Sequence, residues 1–217
     1  AASAALALYG ASSNTVSLSY VGNLSGPGAF LDLNSNYNTI SQSTLTAGGS
    51  GHALQIAGAS VTTVTAGYLQ SSAGDAARLA SGARFNTISN STMTRLGGGN
   101  GGMGLWVSNS ASNTVTGSYI YNLGDHGMRV DGENAVYNQV LLSTMVSDNS
   151  ARAAVSLYLS SWTTITQSLL RSRVGNAADL DSTRDNTISL STVSSSGGGF
   201  SALYLTQASS NTISQCY

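Results

Sequence analysis

Apolar and polar positions along this chain repeat with a period of about 24 residues. The string Asn-Thr-(Ile/Val)-(Ser/Thr)-x-Ser, with variations, opens at Asn14, Asn38, Thr62, Asn86, Asn113, Asn138, Thr163, Asn186 and Asn211, at spacings of 24, 24, 24, 27, 25, 25, 23 and 25 residues. Self-similarity at such a period marks stacked units that bury their apolar faces only against their neighbours. Two positions after each opening residue stand Val16, Ile40, Val64, Ile88, Val115, Val140, Ile165, Ile188 and Ile213, all apolar and β-branched. Seven positions after it stand Val21, Leu45, Leu69, Met93, Ile120, Met145, Leu170 and Val193. A third apolar pair flanks one outward residue in Leu31-Asp32-Leu33, Leu54-Gln55-Ile56, Leu105-Trp106-Val107, Met128-Arg129-Val130, Val155-Ser156-Leu157 and Leu203-Tyr204-Leu205, the period-two pattern of a strand. Each repeat therefore predicts three short strands, and stacking at ~4.8 Å makes nine repeats a rod ~40 Å long.

The opening column, seven Asn and two Thr, predicts an asparagine ladder in a turn, since Asn tolerates left-handed backbone and can bond its own copy one coil away. Five positions on, Ser19, Ser43, Gly67, Ser91, Ser118, Ser143, Ser168, Ser191 and Cys216 are all small, as a tight corner requires. Ser, Thr, Asn and Gly make up 101 of 217 residues, which disfavours helix, and no window keeps a 3.6-residue apolar period. Only 8% of positions are charged, against about a quarter in a typical soluble domain, and Lys is absent. This balance excludes a basic nucleic-acid surface and a polybasic membrane patch. Apolar runs of a few residues fall far short of a bilayer span of ~20, so no membrane insertion is expected. The single Cys216 excludes an internal disulfide, and His52 and His126, three repeats apart, lack companions for a metal. No metal or cofactor is expected.

Three short strands in a coil of about 24 residues resemble the right-handed parallel β-helix of the pectin-lyase-like superfamily. The resemblance implies an all-β solenoid of about nine coils, with residues 1–217 as one domain. The chain begins inside a coil and stops at Gln215-Cys216-Tyr217, partway through the ninth, so a fragment or module of a longer chain is expected. A left-handed β-helix, built on hexapeptides with a coil of about 18 residues, fits the period less well. The superfamily spans polysaccharide lyases, glycoside hydrolases, alginate epimerases, phage tailspikes, adhesins and surface-layer proteins, and fold does not select among them. An extracellular or cell-envelope location, in a bacterium, is expected.

Function must then be written in the outward columns. Thr15, Thr39, Thr63, Thr87, Thr114, Thr164, Thr187 and Thr212 form one, with Ser or Thr two residues on in eight of nine coils. Such rows resemble ice-binding solenoids, although Gln139 and Leu141 interrupt the face and Thr is a good strand residue in any case. Tyr20, Tyr68, Tyr119 and Tyr217 recur in another column, where rings could stack on sugars or serve as strand formers. The most varied column holds Asp32, Gln55, Arg78, Trp106, Arg129, Ser156, Asp179 and Tyr204. There Trp106, Arg129, Asp131, Asp179 and Tyr204 are candidate glycan contacts, with a cation–π contact expected between Trp106 and Arg129.

The segment Gly124-Asp125-His126-Gly127 resembles the Gly-His-Gly element of polygalacturonase-type hydrolases and, less closely, the Asp-Pro-His element of alginate epimerases. That resemblance makes Asp125, His126 and Arg129 candidates for catalysis. The preceding coil, however, offers Trp106 and Ser108 where those hydrolases carry carboxylates. A turn with a solvated His and an Arg-Asp pair is the competing reading. The balance favours a non-catalytic surface or filament module, adhesive through polysaccharide contacts or self-assembling end to end. A lyase, epimerase or hydrolase of acidic glycans is the first alternative, and ice binding the second.

Overall fold

Successive repeats form coils of three strands, eight of them complete, in the computed structural model, which describes residues 3–99, 101–149 and 151–217. Ala1 and Ala2 of the N-terminal stretch and Asn100 of the glycine-rich run lie outside them. The described residues contain no helix.

Sheet 1 stacks nine strands, Leu6–Tyr9, Ala29–Asp32, Leu54–Ala57, Ala77–Ala80, Leu105–Ser108, Met128–Asp131, Val155–Tyr158, Ala178–Asp181 and Leu203–Thr206. Sheet 2 stacks the nine three-residue strands from Thr15–Ser17 to Thr212–Ser214, and sheet 3 the eight from Tyr20–Asn23 to Thr192–Ser195. All pairings are parallel and join each strand to its equivalent in the next coil. The result is a parallel β-solenoid whose interior holds Leu31, Ile40, Leu45, Leu79, Ile88, Met93, Leu105, Ile120, Val155, Ile165 and Leu180 in one continuous core. The β-branched column lines sheet 2 and the second apolar column lines sheet 3, as their periodicity predicts.

One register differs. In sheet 1 the second coil pairs through Ala29-Phe30-Leu31 with Leu54-Gln55-Ile56, so Phe30 takes the outward place expected of Asp32, and Leu33 is exposed with a φ of 52°. Leu33 looks apolar and inward by alternation, but the strand has already ended in a left-handed turn there.

The asparagine ladder forms, but inside. Asn38, Asn86, Asn113, Asn138 and Asn186 are buried, and each accepts at Oδ1 the backbone N–H of the equivalent residue one coil before: Asn14 to Asn38 at 2.9 Å, Asn86 to Asn113 at 3.0 Å, Asn113 to Asn138 at 3.0 Å. The left-handed residue is the one preceding the ladder position, including bulky Val61 and Trp162 before Thr and Phe85 and Tyr137 before Asn, at φ between 52° and 57°. A second ladder of Ser Oγ atoms runs through Ser91, Ser118, Ser143, Ser168 and Ser191 at the next corner, with bonds of 3.1–3.2 Å. Thr62 and Thr163 break the Asn ladder, and the hydroxyl of each is buried without a partner among the described residues. Replacing Thr62 by Asn should supply the missing acceptor to the Asn38 N–H and remove the orphaned hydroxyl. We expect a gain of about 1 kcal/mol, read as a melting point higher by roughly 2–4 °C. An unchanged or lowered melting point would show that the ladder adds no stability at that coil.

Candidate active site

Strand alternation aims every second residue of sheet 1 outward, and parallel stacking lines those residues up along the rod. Two adjacent rows result. One carries Arg78, Trp106, Arg129, Ser156, Asp179 and Tyr204, and the other Ser108, Asp131, Tyr158, Asp181 and Thr206. The sheet therefore brings Trp106, Arg129, Asp131, Asp179 and Tyr204 onto a single face.

At one end of that face the polar groups are tied to each other. The Trp106 indole N–H donates to Asp131 Oδ1 at 2.8 Å, and Arg129 Nε lies 3.2 Å from Asp131 Oδ2. Both oxygens of Asp131 are thus engaged. The cation–π contact expected between Trp106 and Arg129 is not the one formed: the Arg78 guanidinium covers Trp106 at 4.0 Å, while Arg129 lies 5.3 Å from the Tyr158 ring. Asp131 draws Arg129 away, which strand alternation alone does not reveal.

Two coils on, Asp179 and Asp181 occupy alternate outward positions of one strand, ~6.6 Å apart along it. Asp179 is half-buried and its Oδ1 has no hydrogen-bond partner among the described residues. Desolvation, and then the neighbouring Asp181 charge, push its carboxyl above the ordinary carboxylate value, against a smaller opposing pull from Arg129. Asp181 instead accepts the Ser182 hydroxyl at Oδ1, 2.9 Å away. The two carboxyl groups thus stand in unlike surroundings, one with a raised pKa and an unpartnered oxygen and the other accepting a hydroxyl, as an acid–base pair requires. Asp181 was not singled out in the sequence. The Asp-x-Asp alternation of Asp179-Leu180-Asp181 on a strand was the available signal.

Asp125 and His126 lie elsewhere. Both fall at the corner between sheets 3 and 1 and are buried, at 3% and 5% exposure. Asp125 accepts the His126 N–H at 2.8 Å and the Gly101 N–H at 2.9 Å, and Arg152 Nε approaches it at 3.3 Å. His126 Nδ1 accepts the Ala153 N–H at 2.9 Å. The solvated histidine of the competing reading is therefore a packed one, and Arg129 faces outward, away from any open site shared with it. Burial holds His126 neutral, with its pKa pushed down from 6.5 to about 4 despite the Asp125 charge. In the unfolded chain it takes up a proton near 6.5, so stability is full above that value and is lost as pH falls toward 4. We expect about 3 kcal/mol less stability at pH 4 than at pH 7 from this residue, and a flatter pH profile of chemical denaturation in His126→Asn. Equal slopes for the two proteins would reject this assignment.

The remaining candidates are placed by register. The Thr row of sheet 2 is aligned coil on coil, with Gln139 between Thr114 and Thr164. Tyr20, Tyr68 and Tyr119 are exposed on sheet 3, where Tyr119 stacks on Tyr121 at 6.4 Å. His52 packs on Asp75 at 3.0 Å, and no group of three or more metal-ligating side chains occurs among the described residues.

A coil of three parallel sheets places the chain among parallel β-helix proteins. Residues 52–217 match the family model described as right handed beta helix region, and the chain belongs to that family. The comparison with curated proteins gives no match. Among solved structures the chain is similar to DFA-IIIase from Arthrobacter chlorophenolicus A6 in complex with GF2, with 15% identity and a TM-score of 0.67. The alignment covers 85% of this chain and 50% of that one, so the chain spans about half the length of that structure. This likeness corrects the expectation of a non-catalytic surface or filament module. An enzyme shares the coil over most of its length, so the scarcity of charge and the regularity of the repeat give no ground for excluding catalysis.

Proposed function

We propose that the protein is a carbohydrate-active enzyme that hydrolyses glycosidic bonds on the outer face of sheet 1. The observation that carries this reading is Asp179, a half-buried carboxyl with an unpartnered oxygen and a raised pKa, beside Asp181 on the same strand. Glycosidic cleavage needs one carboxylic acid to protonate the leaving oxygen and one carboxylate to act on the sugar carbon or on a water. Asp179 fills the first role and Asp181 the second. Arg129 stands two coils from Asp179, and Tyr158 and Tyr204 flank the pair with rings on which a sugar can pack. The likeness to DFA-IIIase, solved with GF2, supports a carbohydrate substrate.

The reading includes a location outside the cell, where polysaccharides are met, and a polysaccharide or oligosaccharide as partner. It departs from the Asp125, His126 and Arg129 centre, because a buried aspartate and a buried neutral histidine have no route to a polymeric substrate. The test is release of reducing ends from a panel of neutral and uronate glycans at pH 4–7. Turnover that disappears in Asp179→Asn supports the assignment, whereas turnover that survives it, or no turnover on any glycan, removes it.

A further inference from the structure

Next to the carboxylate pair, the corner between sheets 1 and 2 opens into a groove of about 570 Å³, within the size range of ligand sites. Its lining is mostly polar: Glu133, Asn134, Ser161, Ser182, Arg184 and Gln207 contribute. Ser182 links the groove to the proposed site, since its hydroxyl lies 2.9 Å from Asp181 Oδ1 and 3.2 Å from Gln207 Oε1. Glu133 and Arg184 are exposed, and neither takes part in an ion pair among the described residues. Arg184 is nevertheless steered. Its guanidinium lies 5.8 Å from the Trp162 ring, and Trp162 in turn stacks on Tyr137 at 5.2 Å with the planes 12° apart. Trp162 and Tyr137 owe this position to the left-handed residue before the Asn ladder, which swings bulky side chains out over the corner.

From this arrangement we infer that the groove is a binding site for a neutral oligosaccharide, continuous with the Asp179–Asp181 pair. The inference rests on the reading of sheet 1 as the place of cleavage and adds the substrate class. A guanidinium offers paired donors and a carboxylate paired acceptors to vicinal hydroxyls, and the amides and serines supply further partners. The charges argue against a polyuronate. Arg129 is already paired with Asp131, and Arg184 shares the groove with Glu133, so a uronate carboxylate would meet no net positive charge there. Trp162 acts as a positioning residue that holds Arg184 over the groove.

The test is calorimetric titration of the Asp179→Asn protein with neutral fructo-, gluco- and xylo-oligosaccharides of three to six units, and with oligogalacturonides. At least one neutral series should bind, at least tenfold more tightly than any oligogalacturonide. Arg184→Ala and Glu133→Ala should each weaken that binding tenfold or more, Trp162→Ala should do the same, and Trp162→Phe should restore it. These residues are exposed, so unchanged melting points will show that the variants fold. No neutral binding, unchanged affinity in Arg184→Ala, or tighter binding of the oligogalacturonide overturns the inference. Failures of the two readings are separable. Cleavage that depends on Asp179 with a KM indifferent to Arg184 rejects the groove alone, and groove binding without cleavage by the unmodified protein rejects the hydrolase reading alone.

Discussion

Asp179→Asn is expected to lower the rate of glycan cleavage by about 10²–10⁴-fold with little change in KM, the range typical of losing a positioned general acid. Asn keeps the volume and a hydrogen-bonding end but has no proton to give to the leaving oxygen. The sign of the pH dependence follows from the cause of the raised pKa. Desolvation and Asp181 make Asp179 harder to ionise than an ordinary carboxyl, so the proposed cleavage is expected to be fastest at acidic pH and to slow as pH rises through the elevated value. In Asp179→Asn that alkaline limb should vanish from whatever rate is left. Arg129→Gln, which removes the cation that opposes the shift, should move the limb to higher pH. A rate profile whose alkaline limb stays in place in both variants would assign the acid to another group. Asp181→Asn should reduce kcat comparably but leave the Asp179 carboxyl easier to ionise.

Asp125→Ala should be the most destabilising single change at the corner of sheets 3 and 1, by about 3–5 kcal/mol, because it strands the buried His126 N–H and removes a charge that compensates the buried Arg95. The carboxylate satisfies the N–H groups of Gly101 and His126 and pairs with Arg152. It also faces Arg95, a guanidinium only 2% exposed, which among the described residues bonds Asn122 and the Ala73 carbonyl, each at 3.4 Å. Burial lowers the Arg95 pKa, and Asp125 and Asp75 are the charges that oppose this. Without Asp125 the buried cation keeps its desolvation cost and loses part of its compensation. The melting point should drop by roughly 10 °C. Arg152→Ala, whose side chain is 39% exposed, should cost far less. Similar losses in the two variants would mean that the surface pair, and not the buried charge, dominates the corner.

Gly124 belongs to the same corner. A Cβ there would meet Arg95 Nη1 and the carbonyl oxygens of Gly97 and Gly99, so the glycine-rich run folds over the buried guanidinium at a distance only glycine permits. In sequence the Gly-Asp-His-Gly segment carries the look of catalytic chemistry, and in space it supplies the anion that Arg95 needs.

The architecture was legible in the chain because a solenoid turns sequence period directly into spatial stacking. Once Ile40, Val64, Ile88 and their equivalents fall in one column, the parallel register, the buried ladder at Asn86 and Asn113 and the outward rows of sheet 1 all follow. The expectation failed where the local signal was ambiguous. Leu33 continues an apolar alternation that the backbone ends with a left-handed turn.

What the rows do chemically was decided in three dimensions. Whether a carboxylate is free depends on the neighbours that the fold gives it: Asp131 is bound by Trp106 of the preceding coil and by Arg129 of its own strand, while Asp179, also outward on that sheet, keeps an oxygen without a partner among the described residues. Burial separated His126 from solvent through loops of neighbouring coils, and the left-handed corner placed Trp162 beside Arg184 from positions 22 residues apart. Periodicity reports which side of a strand a residue faces. Solvation, ion pairing and pKa depend on distances of a few ångströms between coils, and those only the folded chain sets.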